Sequence, residues 1–499
     1  MQGPGRALRQ SPLPAACSTV AASSGTRSRN IVIRISAVAR SLVLVLLAAA
    51  LPSPAVGQQL DLDLDALGDE AVERLAGYLR VDTINPPGNE TAGVEYLAAI
   101  FDAEGVAYET AESAPGRGNI WARIPGGDAP GLVLLHHIDV VPANRDQWTT
   151  DPLGGEIRDG YLYGRGALDT KGLGIVHLQA FLALHRSRIR PDRDVIFMAT
   201  ADEEAGGFFG AGWLVENRPE LFADVGVVLN EGGDGSFEED GVTFTVEVTQ
   251  KVPLWLRLVS VNTPGHGSMP QAESSVTRLL RALSNIQAYE FAPRIVPAVD
   301  EYFRALAGSH AEPWRSAFVD IESSVRDRTF LTRLQLYNPF LHALTRNTCS
   351  ITILEGSGKI NVVPPVAVAE LDCRLLPDQD PVAFVAQLET IINDGKIGIE
   401  KIMGFSPAVS DSDTDIFRAI HALSQRHYAG ARVIPGVSTG FTDSHFFRDL
   451  GILAYGYSPM VMAPSEMVRF HGNDERIEVE QVRQGTRMMV ELLEALTLR

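Results

Sequence analysis

Apolar residues along this chain change their period several times, and each change marks a new element. Over 69–79 and 95–103 they recur at helical spacing, as on amphipathic helices. Short apolar runs follow at 119–124, 131–136, 194–199 and 225–229 and read as strands, with a segment of helical length and period at 172–185 between two of them. Strands alternating with helices predict an α/β fold, a mostly parallel sheet flanked by helices. Near Gln250 the order changes. Strand patterns at 252–261, 349–355, 366–374 and 397–404 and helical patterns at 274–286 and 381–392 follow one another as β-α-β-β-α-β. That is the ferredoxin-like plan, two helices packed on one antiparallel sheet. The stretch 291–347 is an extra, largely helical insertion within it. The α/β pattern resumes with a helix at 415–429, strands at 432–434 and 452–456, and a helix at 480–496. The expected organisation is a larger α/β domain in two pieces, 58–249 and 406–499, holding an inserted α+β lid at 250–405.

Length agrees: 499 residues exceed what one simple core holds. The first 57 are set aside as a signal peptide. Arg34 and Arg40 precede the apolar run 42–51, too short to span a bilayer, and Ala55-Val56-Gly57 resembles a cleavage site. The expected destination is the periplasm or the exterior. Net charge is −19, and removing the six arginines of the first 57 residues, which carry no acid, leaves −25. Such a surface argues against nucleic acid or anionic membranes as partners. After cleavage only Cys349 and Cys373 remain. Neither has metal-ligand spacing to another cysteine; they could pair in an oxidising compartment, but two buried free thiols are the expected state.

Candidate chemistry gathers where apolar runs end. In LLHHIDVVP (134–142) His137 and Asp139 lie two apart, so at an extended strand end they face one side. A carboxylate there accepts the second imidazole N–H of a metal-bound histidine. His136 points the other way. Taken alone the pair also fits a buried histidine and a turn aspartate. In GRGALDTKG (164–172), Asp169 has two oxygens with which to bridge two cations, although the position also suits a helix N-cap. Three adjacent acids in ADEEAGG (201–207) repel one another unless solvated or matched by cations. Adjacent side chains point apart, so Glu204 can ligate while Glu203 acts as general base. Glu231 in VVLNEGG and His471 in FHGNDERI complete a set of two histidines and three carboxylates suited to a pair of cations such as Zn²⁺.

These motifs, HxDVVP, GRGxxDxKG, DEExGG, NEGG and HGxxERI, together resemble the aminoacylase, glutamate carboxypeptidase and carboxypeptidase S family of dinuclear zinc peptidases and amidohydrolases, over essentially all of 66–499. The resemblance implies two Zn²⁺ per subunit, with Co²⁺ or Mn²⁺ as substitutes, held by His137, Asp169, Glu204, Glu231 and His471. It makes Asp169 the bridge, with a cis peptide after it, Glu203 the base, and Asp139 the residue orienting His137. In the lid, His266 of TPGHGSMP matches a histidine that crosses a dimer interface to stabilise the oxyanion of the partner's site, so a homodimer is implied. Asn361 of KINVVP and Arg374 of DCRLLP match substrate-holding positions, Arg374 suiting a terminal carboxylate. The implied substrate is a small peptide or N-acyl amino acid. Two rivals stand beside this. Gly436 to Gly440 matches GxSxG, and Ser438, Asp443 and His471 follow the chain order of a serine hydrolase. Asp443 lies only five residues beyond Ser438, too near to come from a separate loop. A non-catalytic homologue used for binding or dimerisation is the other.

Overall fold

The computed structural model describes residues 60, 62–238 and 241–498; the expected signal peptide lies outside them. The apolar runs form the centre of the larger sheet. Arg193–Thr200, Ala129–His137, Val225–Asn230 and Leu453–Gly456 lie side by side in that order, all parallel. Residues 131–137 are buried without interruption, the pattern of a strand covered on both faces. Within this strand Leu132 and Leu134 point into one core and Val133 and Leu135 into another, the two-residue period of extended backbone. The first core is closed by the helices Leu64–Leu79, Lys171–Ser187 and Val479–Thr497 through Leu75, Leu178 and Leu493. Ala211–Asn217 and Ser444–Asp449 cover the opposite face through Leu214 and Phe447.

Antiparallel strands extend the sheet at both sides. Gly118–Ile124 pairs with Arg193–Thr200. Gly241–Gln250 pairs antiparallel with Leu453–Gly456 and parallel with Arg432–Ser438. Gly241–Gln250 was not expected as a strand, and Arg432–Ser438 runs past the expected 432–434. Among the described residues no helix is long and apolar enough to cross a membrane.

The second sheet has the strand order Thr348–Glu355, Val366–Leu375, Val252–Val261, Ile397–Gly404, antiparallel throughout. With the helices Ser275–Ala288 and Pro381–Ile392 this is the ferredoxin-like arrangement. Ser274 starts the first helix through a reciprocal capping box with Thr277. The stretch between Ser275–Ala288 and Thr348–Glu355 is helical, with Phe303, Phe318 and Leu334 in a core of its own. Lys251, at the junction of the two sheets, ties it down: its buried amine donates to the carbonyls of Ala343 and Arg346 at 2.8 Å each.

The expectation of two free thiols is overturned. Register sets Cys349 directly opposite Cys373, with Cα atoms 4.0 Å apart, and the two form a disulfide between the edge strand and its neighbour. Alkylation of the denatured, unreduced protein is expected to label neither residue, and labelling of both would contradict the bond.

Candidate metal centre

Three parallel strands end together and deliver residues at or just beyond their ends to one cavity. His137 is the last residue of Ala129–His137, Glu203 and Glu204 follow Arg193–Thr200, and Glu231 follows Val225–Asn230. Asp169 lies on the loop before Lys171–Ser187 and His471 on the loop before Arg476–Glu478. The cavity, about 270 Å³, is lined by Asp169, Glu203, Glu204, Glu231, Arg374 and His471 among others. It lies at the carboxyl ends of the strands, where open α/β sheets bind their ligands.

Asp169 is the centre of the arrangement. Its Oδ1 is 3.1 Å from Nε2 of His137, and its Oδ2 is 2.9 Å from Nε2 of His471. Glu231 Oε1 lies 3.5 Å from the first imidazole and Glu204 Oε2 3.2 Å from the second. Two donor groups, His137 with Glu231 and His471 with Glu204, thus share one carboxylate. Glu203 is buried, its Oε2 3.9 Å from His137 Nε2. The Asp169–Thr170 peptide is cis. Thr170, not Asp169, occupies the N-cap of the following helix.

Fully buried Asp139 supports the centre from behind, in a way that differs from the expectation. Nδ1 of His137 lies 2.9 Å from the Asp139 backbone carbonyl and 3.5 Å from its carboxylate. The carboxylate instead accepts the backbone N–H groups of Glu203 and Glu204, at 3.1 and 3.2 Å, and the amide of Asn85 at 2.8 Å. Asp139 therefore holds the acidic loop as well as the histidine. A second brace joins loops about 300 residues apart in sequence. Glu475 Oε1 accepts from the N–H groups of Gly166, Leu168 and Asp169, and its Oε2 from Arg165, whose guanidinium also donates to the carbonyls of His471 and Gly472. Asn85, Arg165 and Glu475 were not singled out from sequence. The last two stand within the quoted motifs, so a buried charge of each sign in GRG and ERI was the available signal.

Electrostatics sets the character of the cavity. Among the described residues no Lys or Arg forms an ion pair with Asp169, Glu203, Glu204 or Glu231; only the two histidines do. Burial, with Glu231 alongside, drives the Glu203 carboxyl well above its ordinary range, and burial pushes Glu231 up to about 7. Hydrogen bonds to Asp169 and Glu204 push His471 up to about 10. Burial opposes charge on Asp169, but the two histidines outweigh it and hold the carboxyl low. Converging carboxylates relieve their repulsion either by taking protons or by taking cations.

The other expected residues divide. Arg374 lines the cavity; Asp372 takes its Nε and one terminal nitrogen at 2.7 and 3.2 Å, and Nη1 is buried with no partner among the described residues. His266 and Asn361 do not reach the cavity. His266 pairs with Val362 on an exposed two-residue ladder, its Nδ1 2.7 Å from the Ser268 hydroxyl, and the Asn361 carbonyl accepts from Gly267. His136 packs away from the cavity against Phe197 and Tyr78. The serine arrangement does not assemble. Ser438 ends a strand and its hydroxyl accepts from Gly440 N, Asp443 accepts from Thr200, and His471 faces Asp169.

Comparison with known proteins gives a consistent picture. The family model "Peptidase family M20/M25/M40" matches residues 133–495. An N-fatty-acyl-amino acid synthase/hydrolase of Xenopus tropicalis is 29% identical over 443 residues, 85% of each chain. Human aminoacylase-1 is 27% identical over 428 residues, 84% of this chain and 93% of that one. Among solved structures, an M20 metallo-carboxypeptidase of Sulfolobus solfataricus superposes with a TM-score of 0.66 at 20% identity, covering 86% of this chain and 99% of its own.

Proposed function

The chain belongs to the M20/M25/M40 peptidase family of peptide- and amide-bond hydrolases, and from that premise we propose that it cleaves an amide beside a free carboxylate at a two-metal centre. The observation that carries the reading is Asp169, each of whose oxygens faces a different histidine. Imidazole and carboxylate donors fit Zn²⁺, and Co²⁺ or Mn²⁺ suit the same set. Glu204 Oε1, buried without a hydrogen-bond partner, is an acceptor that such an ion would satisfy. His137 and Glu231 would hold one ion, Glu204 and His471 the other, and Asp169 both. When bound, the pair supplies Lewis acidity that polarises the amide carbonyl and acidifies water.

The chain's own groups do the rest. Glu203 takes a proton from the attacking water and delivers it to the amine nitrogen as the C–N bond breaks. Asp139 and Glu475 hold the acidic loop and the Asp169 loop in register. Arg374, with Nη1 unpaired, binds the substrate's terminal carboxylate, and Asn361 assists in holding substrate. His266 of the partner subunit donates to the oxyanion. A homodimer is supported by the lid's edge strand, where Ile351, Ile353 and Leu354 are exposed beside unpaired backbone. Export is supported by the basic and apolar N-terminal segment and by the Cys349–Cys373 disulfide, which suits an oxidising compartment.

Zinc-loaded protein is expected to release free amine from N-acyl amino acids or dipeptides, to lose that activity to a chelator and to regain it with zinc. Activity indifferent to the chelator would overturn the reading. Arg374→Ala is expected to raise KM about tenfold or more, about 1.4 kcal/mol of binding, with kcat little changed. A change confined to kcat would remove Arg374 from carboxylate recognition.

A further inference from the structure

A chamber of about 270 Å³ shares Asp169, Glu231 and Phe441 with the metal cavity and has Leu168, Met460, Met462 and Phe470 as well as Asp234 and Ser438 in its wall. A second chamber of about 300 Å³ shares Gly232, Gly233, Asp234, Ser438 and Met467 with the first and is bounded by Tyr302 and Phe340 of the helical insertion. Together they are of the size that takes a small molecule, about 300–1,000 Å³. Arg374 lines neither, so a substrate whose carboxylate meets Arg374 has this space for its acyl side.

The consecutive residues Gly232, Gly233 and Asp234 line both chambers. A Cβ at Gly233 would stand 2.2 Å from the Thr245 carbonyl oxygen, so the backbone of this stretch packs tightly on its neighbour strand. Asp234 is the side chain this stretch presents, and it lines both chambers. Among the described residues no cation pairs with it, and no hydrogen bond from a side chain or backbone reaches its carboxyl. Burial raises it to about 6, which still leaves it ionised at neutral pH. A half-buried carboxylate beside the methionines and leucines of the first chamber is stabilised when a counter-charge or water meets it.

We propose that Asp234 binds a cation carried by the substrate, so that the preferred acyl group is an aliphatic stem ending in an amine rather than a plain alkyl chain. The stem lies along the methionines and leucines of the first chamber while the ammonium meets Asp234 at the junction with the second. This rests on the amide-hydrolase reading and adds a charge requirement that Arg374 and the metal ligands do not impose.

The test compares octanoyl and ω-aminooctanoyl amides of one amino acid on the zinc-loaded protein. Wild type is expected to favour the ω-amino substrate by about tenfold or more in kcat/KM, and Asp234→Asn to abolish most of that preference while hydrolysing the octanoyl substrate about as well as wild type. Preference for the octanoyl substrate by wild type, or a ratio unmoved by Asp234→Asn, would overturn the proposal. Asp234→Ser serves if the first variant folds poorly. Calorimetric binding of ω-aminooctanoate against octanoate gives a readout independent of turnover. If neither amide is cleaved, the hydrolase reading has failed, and the binding contrast still decides the role of Asp234: selective binding of the amino acid, lost in the variant, supports it, and equal binding sinks it.

Discussion

Replacing Glu203 by Gln is expected to leave two metal ions bound and to lower kcat by about 10²–10⁴-fold, the range of general acid–base catalysis. The substitution keeps the shape of a buried side chain and removes only its capacity to accept a proton. The Glu203 backbone N–H donates to Asp139 whichever side chain is present, so the acidic loop keeps its course. The prediction discriminates because Glu203 also lies close enough to His137 and Glu231 to be a ligand with them. Metal analysis beside turnover separates the roles. Loss of one ion in Glu203→Gln would make it a ligand, and a wild-type rate would remove it from the mechanism.

His266→Ala is expected to lower kcat by about 10²–10³-fold, the cost of one oxyanion donor, without weakening metal binding. His266 sits on an exposed ladder outside its own chain's cavity, so in the proposed dimer it would act from a second copy. Co-refolding His266→Ala with Glu203→Gln makes this decisive. In a mixed dimer one of the two sites combines an intact Glu203 with an intact partner histidine, so random pairing restores about a quarter of wild-type activity in a two-fold dimer. A mixture no more active than its components would show that His266 does not act across an interface.

What was legible in the sequence follows from what the local pattern records. The strands that end at His137 or just before Glu203 and Glu231 are continuous apolar runs, because a central parallel strand is covered on both faces, and their ends are marked where polarity returns. Gly241–Gln250 was missed for the opposite reason. It joins two sheets, with Val252–Val261 following after a single residue, and its TFTVEV interposes threonines and a glutamate in a mostly buried strand, so no continuous apolar run marked it. The ferredoxin-like order was readable from element types alone. The disulfide was not, since it depends on the register that sets Cys349 opposite Cys373 across 24 residues. Nor were the Arg165–Glu475 brace and the chambers around Asp234 readable. They bring together residues hundreds of positions apart, and no spacing encodes that. Asp139 falls between these cases: its proximity to His137 was read from a two-residue offset, whereas its stronger bonds to the Glu203 and Glu204 amides needed the fold.

The proposed mechanism requires Asp169 to be shared by two metal ions. Anomalous diffraction from zinc-loaded crystals at the zinc edge locates those ions. Two peaks are predicted, about 3.5–4 Å apart, one beside His137 and Glu231 and the other beside Glu204 and His471, with Asp169 between them. A single peak, or two peaks of which only one contacts Asp169, would contradict it.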